Sequence, residues 1–207
     1  MSKKLLVATH NQGKVREYRA LLADLPIEIT YLDSEGVTFE AEETGQTFAE
    51  NAIMKAQAYA AHTGFMTWAD DSGLEVDALG GEPGVLSARY GAPAAASDVE
   101  RYQLLLDKLA GVPESQRMAR FRCVVALAWP DGRVITTDGV CEGRIARIPR
   151  GDHGFGYDPV FLVADFDYQQ TMAELDPELK NQVSHRGRAA QQARQHLARL
   201  TQHAALP

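Results

Sequence analysis

The sequence predicts an α/β fold in which one mixed sheet is flanked by helices. Three observations lead there. Short apolar runs alternate with amphipathic stretches through the first half of the chain. Strand-like runs joined by Pro130-Asp131-Gly132 fill the middle, and an amphipathic helix comes last. At 207 residues and 45% hydrophobic, the chain suits a single domain spanning 1–207 with a sizeable core.

The elements follow in order. Leu5–Ala8 is apolar and reads as a buried strand. From Val15 the positions Val15, Tyr18, Leu21, Leu22 and Leu25 keep a helical period that Pro26 ends. Ile27–Leu32 alternates as a strand does, and Val37–Glu43 is extended and acidic. The stretch TFAENAIMKAQAYAAHTG carries both helix signals: Thr47 and Glu50 form a capping box, and Gly64 stands where helices stop. Phe65–Ala69 is a strand expected to break at Asp70-Asp71-Ser72-Gly73, with a half-exposed strand resuming at Leu74. Ser97–Leu109 is helical. RFRCVVALAWPDGRVITTDGVCEGRIAR gives two or three antiparallel strands, and Val160–Val163 gives another. Asp176-Pro177 opens a short helix. The SHRG stretch breaks the chain before a final helix that turns Ala190, Ala193, Leu197 and Leu200 inward.

Charge and cysteine content narrow the function. Acidic residues outnumber basic ones 28 to 21, a formal charge of −7. Duplex nucleic acid is therefore an unsuitable partner, because that affinity rests on Lys and Arg neutralising phosphates. An anionic substrate would need a local cationic pocket or a metal. Cys123 and Cys141 lie in strand-like runs without metal spacing and read as buried free thiols of a cytoplasmic protein. MSKKLLVATHN lacks the apolar core of a signal peptide, and no stretch reaches the ~20 apolar residues of a membrane span.

Five clusters carry chemistry. In ATHNQGK a strand runs through a polar loop into a helix N-terminus, which offers free N–H groups to an anion, and Lys14 adds a charge. A plain strand–helix turn with Lys14 in solvent is the alternative. Glu42-Glu43 precedes the capped helix, on which Asn51 and Lys55 share a face. This arrangement suits a metal bridge to phosphate, or equally a solvated acidic loop. Asp70-Asp71 places two carboxylates together; Mg²⁺ would relieve their repulsion and one could accept a proton from water. An Asp-rich turn is the competing reading. HGFGYDP offers an aromatic stacking face at Phe155 or Tyr157, or a buried plug. Lys180, His185 and Arg186 could donate to an acceptor atom, or stabilise a helix end.

Taken together, THNQGK, EETGQTFAENAIMKA, ADDSGLEVDALGGEPGVLSARY, GFGYDPVF and SHRGRA resemble the inosine triphosphate pyrophosphatase family, in order and over nearly the whole chain. The resemblance implies a long mixed twisted β-sheet flanked by helices, with two lobes around a central substrate cleft, usually as a homodimer. It implies Mg²⁺-dependent hydrolysis of ITP, dITP and XTP to the monophosphate and pyrophosphate. On this reading Thr9, His10, Asn11, Gln12, Gly13 and Lys14 hold phosphates with Asn51 and Lys55. Glu42 and Asp71 position Mg²⁺, Asp71 is the general base, and Ser72 touches substrate. Phe155, Gly156, Tyr157, Asp158, Lys180, His185 and Arg186 form the nucleobase pocket. His10 stands where Gly is frequent, and GDHG replaces a more usual GTGG before Phe155. A Maf-type pyrophosphatase and a non-catalytic nucleotide sensor are the rival readings; His185-Arg186 with GFGYDP argues against the first and the intact Asp70-Asp71 against the second.

Overall fold

The computed structural model describes residues 4–203, with side chains through 199. Strands β1 (Lys4–Val7), β2 (Glu28–Tyr31), β3 (Met66–Val76), β4 (Met118–Ala128), β5 (Val134–Ile145) and β6 (Phe161–Val163) form one sheet in the order β2-β1-β3-β4-β5-β6. β1 runs parallel to both β2 and β3, whereas β6 is antiparallel to β5. The sheet is therefore mixed. The helices are α1 (Gln12–Leu21), α2 (Phe48–Thr63), α3 (Asp98–Lys108), α4 (Pro177–Val183) and α5 (His185–His203).

The chain divides into two compact units. The first comprises Met1–Asp71, Cys123–Gly139 and Arg186–Pro207; the second comprises Ser72–Arg122 and Val140–His185. In the first, β1 is fully buried at Leu5 and Leu6, and Val15 and Tyr18 of α1 with its C-cap Leu22 join Trp68 in the core. Ala189, Ala190, Ala193 and Leu197 of α5 complete that core, and the Thr137 hydroxyl donates to the Ala189 carbonyl at 2.9 Å. The side chain of Leu200, also expected inward, lies outside the described residues. In the second unit, Leu105 and Leu106 of α3 and its C-cap Leu109 pack with Phe121, Phe161 and Val163. Both cysteines are buried and free. Among the described residues no helix is long and apolar enough to cross a membrane.

Several boundaries differ from the sequence expectation, the first helix ending at Leu21 rather than near Pro26, and three of the differences bear on the site. α1 begins at Gln12 rather than Val15, because the Asn11 side chain caps it by accepting from the Lys14 amide at 3.0 Å. β3 does not break at Asp70-Asp71 but runs eleven residues straight through them. SHRG is not a break either: only Ser184 separates α4 from α5, and His185, Arg186 and Gly187 form the first turn of α5. The α2 signals fall where expected, with a complete Thr47/Glu50 capping box and Gly64 in the left-handed region.

Candidate active site

In the first unit, the segment from Thr9 to Lys14 connects β1 to α1. The Ala8 amide still bonds to the Trp68 carbonyl at 2.8 Å, so the chain leaves the sheet only after Ala8. The Asn11 amide donates to the Thr9 hydroxyl at 3.2 Å. His10 and Gln12 reach Asp33 at 3.1 and 3.4 Å, which draws both side chains towards exposed Asp33. Lys14 instead turns inward, and its Nζ lies 2.9 Å from Asp70 Oδ2.

The two aspartates of β3 occupy opposite faces of the sheet, because alternate strand residues point to opposite sides. Asp70 shares a face with Trp68, the side covered by α1 and α5. There it meets Lys14 at 2.9 Å, Arg186 Nη2 at 3.5 Å and the Cys123 thiol at 3.7 Å. Burial would raise its carboxyl, but the Lys14, Arg186 and Lys55 charges hold it well below the usual carboxylate range. Arg186 is itself fixed by Glu17, 2.7 Å from its Nη1, and lies over the Tyr18 ring. The same surroundings push the Cys123 thiol up, chiefly through burial and the Asp70 charge.

Asp71 faces α2. Asn51 donates to its Oδ2 at 3.0 Å and accepts from the Gly45 amide at 2.8 Å, so one amide side chain joins the acidic loop to the strand. Gly45 is needed there: a Cβ would come within 2.7 Å of Asn51 Oδ1. Burial raises the Asp71 carboxyl above its ordinary value. Lys14, Lys55 and the Asn51 bond oppose the rise without reversing it, and Glu43 adds to it. Lys55 donates to the Asp70 carbonyl at 3.0 Å and pairs with Glu43 at 2.7 Å. Burial works against its ammonium, but Asp70, Glu43 and Asp71 outweigh burial and raise its pKa.

Glu43 is thus the loop carboxylate tied into the cluster, while Glu42 is exposed. No three His, Cys, Asp or Glu side chains converge among the described residues into a ready metal cage. A buried carboxylate beside an acidic loop does fit Mg²⁺, which takes one or two protein carboxylates and completes its shell with phosphate oxygens and water.

The second unit holds the remaining expected residues. Asp158 Oδ2 accepts from Lys180 Nζ at 2.6 Å and from the Phe155 amide at 2.8 Å. Lys180 also lies 4.9 Å from the Phe155 ring centroid. The Gly156 amide donates to Asp98 at 2.8 Å, fastening the loop to α3. Gly154, at φ +78°, cannot be replaced without driving a Cβ into the Asp158 carboxylate. Of the two aromatics, Tyr157 is the buried one, and its hydroxyl donates to the Ser87 carbonyl at 2.9 Å. The stacking face therefore falls to Phe155. His185 stacks on Phe121 at 4.6 Å and 13°. Ser72 is half-buried at the start of this unit. Arg186, expected beside the base, is placed in the first unit with Glu17 and Asp70.

Residues 5–196 match the model of the Ham1 family. The chain belongs to the Ham1 family. Among relatives of this Ham1 chain, a dITP/XTP pyrophosphatase of Desulforamulus reducens is 51% identical over 201 residues, 97% of this chain and 98% of the relative. The dITP/XTP pyrophosphatase of Bacillus subtilis is 49% identical, over 90% and 93% of the two chains. Among solved structures, a HAM1 protein from Coxiella burnetii matches the Ham1 chain with a TM-score of 0.85 at 44% identity, covering 95% of this chain and 99% of its own.

Sequence reasoning missed Asp70's partner set, Glu17, Asp98 and Phe121, and of the Glu42-Glu43 pair it assigned the metal to Glu42, whereas Glu43 is the one joined to Lys55. Only Glu17 left a trace, since it falls three residues after Lys14 on the same helical face.

Proposed function

We propose that this chain hydrolyses non-standard purine nucleoside triphosphates, dITP, ITP and XTP, to the monophosphate and pyrophosphate. The observation that carries the reading is Asp71: a buried carboxylate with a raised pKa, oriented by Asn51, with Lys14 and Lys55 acting on it. A general base works best when its pKa approaches the working pH, and the burial of Asp71 moves it in that direction. Asp71 takes a proton from water attacking the α-phosphorus. Lys14, Lys55 and the amides of His10, Gln12 and Gly13 offset the charge that leaves on pyrophosphate. Asp71 and the loop carboxylate Glu42 would hold Mg²⁺, which when bound would supply charge neutralisation at the phosphates.

For the base, Phe155 gives a ring face, and Lys180 and His185 give donors in the second unit. Donors suit the acceptor oxygen at position 6 of hypoxanthine and xanthine and leave the adenine amino group unpaired. Such a site can reject the wrong base by roughly 10⁴. The family resemblance supports a homodimer acting in the cytoplasm; a sedimenting species at twice the chain mass would bear out the first part.

The test is pyrophosphate release from dITP, ITP, XTP, GTP and ATP with and without Mg²⁺. Preference for the first three, lost without the metal, is expected. Equal turnover of ITP and ATP would refute the reading.

A further inference from the structure

The second unit contains a cavity of about 360 Å³ that none of the chemistry above uses, at the end of β5. It is lined by Arg144, Arg147 and Arg150, three cations within seven residues of a chain whose formal charge is −7. Behind its wall lies a fourth. Arg117 is fully buried, and its three donor nitrogens go to carbonyls only: Ile145 at 2.9 Å, Leu109 at 2.6 Å and Ala146 at 2.9 Å. Ile145 and Ala146 are themselves lining residues. No carboxylate stands within ion-pair distance of Arg117 among the described residues, so its charge is left for the surroundings to balance. Burial and repulsion from Arg147 lower its pKa against the opposing pull of Glu114, which puts both Arg147 and Glu114 within electrostatic reach.

The acidic complement is too small. Glu114 pairs with Arg144 Nη2 at 2.9 Å, and Glu174 pairs with Arg150 at 3.1 Å. That leaves two carboxylates against four guanidiniums. Exposed Arg147 has no partner among the described residues, and the buried Nε of Arg144 has no hydrogen-bond acceptor there. A buried guanidinium N–H without an acceptor is costly. The fold nonetheless holds Arg144 in place, 4.7 Å from the Tyr168 ring. Tyr168 sits at φ 59° and Asp167 before it at φ 51°, a left-handed pair that non-glycine residues rarely adopt.

We propose that this cavity is a second anion site, taking a small oxyanion of the phosphate class, either inorganic or carried on an organic body. Guanidinium groups suit such oxygens because they can donate two parallel N–H bonds. An anion seated here would pair with the exposed Arg147 and balance the charge of Arg144 and Arg117.

Hydrogen–deuterium exchange on the full chain in EDTA tests this, with inorganic pyrophosphate in one arm and a nucleoside monophosphate in the other. Pyrophosphate should protect segments 144–150 and 162–169 in a saturable way. Arg147→Gln, which removes no intramolecular partner, should shift that titration about tenfold, the scale of one charge-assisted hydrogen bond, while leaving protection of the Thr9–Lys14 segment unchanged. Arg144→Gln should weaken it further. Protection in the nucleotide arm as well would assign an organic phosphate; protection in the pyrophosphate arm alone would assign the inorganic ion. Absence of protection by pyrophosphate, or a titration unmoved by Arg147→Gln, would overturn the proposal.

Discussion

Asp70 and Asp71 are neighbours of one residue type on one strand, yet the same substitution should act on them with opposite sign. Asp70→Asn removes the negative charge from Lys14 at 2.9 Å and Arg186 at 3.5 Å, of which Arg186 is almost fully buried. Breaking a buried pair by neutralising one partner costs roughly 3–5 kcal/mol. A chain of this size loses about 2–4 °C per kcal/mol, so the unfolding midpoint should fall by roughly 6–20 °C. Asp71→Asn removes a charge that burial disfavours and keeps an oxygen to accept from Asn51. It should stabilise by about 0.5–2 kcal/mol. The same variant should lose about 10²–10⁴ in turnover as the general base disappears. The assay is thermal unfolding of wild type and both variants in EDTA at several pH values.

The pH dependence follows from the two directions. The depressed Asp70 carboxyl contributes stability above its unfolded value of about 3.9, and this is lost as pH falls through the lower folded value. The raised Asp71 carboxyl is a burden above its folded value, relieved as pH falls towards about 3.9. Both differences from wild type should therefore be largest near neutrality and shrink in acid. Midpoints that move together, in either direction and by similar amounts, would refute the assignment of the two environments.

Further outcomes can be checked separately. Thr47→Ala removes the side-chain acceptor of the α2 capping box and should cost about 1 kcal/mol in urea unfolding while turnover persists. Arg117→Met strips three carbonyls of their donor and should cost roughly 3–6 kcal/mol, measured by chemical denaturation. Mg²⁺ should raise the melting midpoint of the EDTA-stripped wild type and have little effect on Asp71→Asn, as calorimetry would show.

The sequence displayed those features whose causes are local. Both ends of α2 were readable because Thr47, Glu50 and Gly64 act within a turn of themselves. The mixed sheet was readable from apolar runs and the Pro130-Asp131-Gly132 turn. The start of α1 was not, since its cap is a lone Asn11 followed by Gly13, with no acidic residue in the first turn. The continuity of β3 was hidden for a different reason. Two adjacent aspartates look like a turn until Lys14, Arg186 and Asn51 arrive from distant segments to accommodate them. Glu17 and Arg186 lie 169 positions apart, and no local pattern could have joined them. The same holds for Arg117, whose acceptors are main-chain oxygens that side-chain chemistry cannot announce.

That last arrangement has a consequence for how the protein meets acid. An arginine clasped by carboxylates lets go when those carboxylates take up protons, but amide oxygens do not titrate across any range a cell encounters. The corner where Leu109, Ile145 and Ala146 converge is therefore closed by a fastener that no change of acidity unlocks, whatever happens to the charged cluster around Asp70.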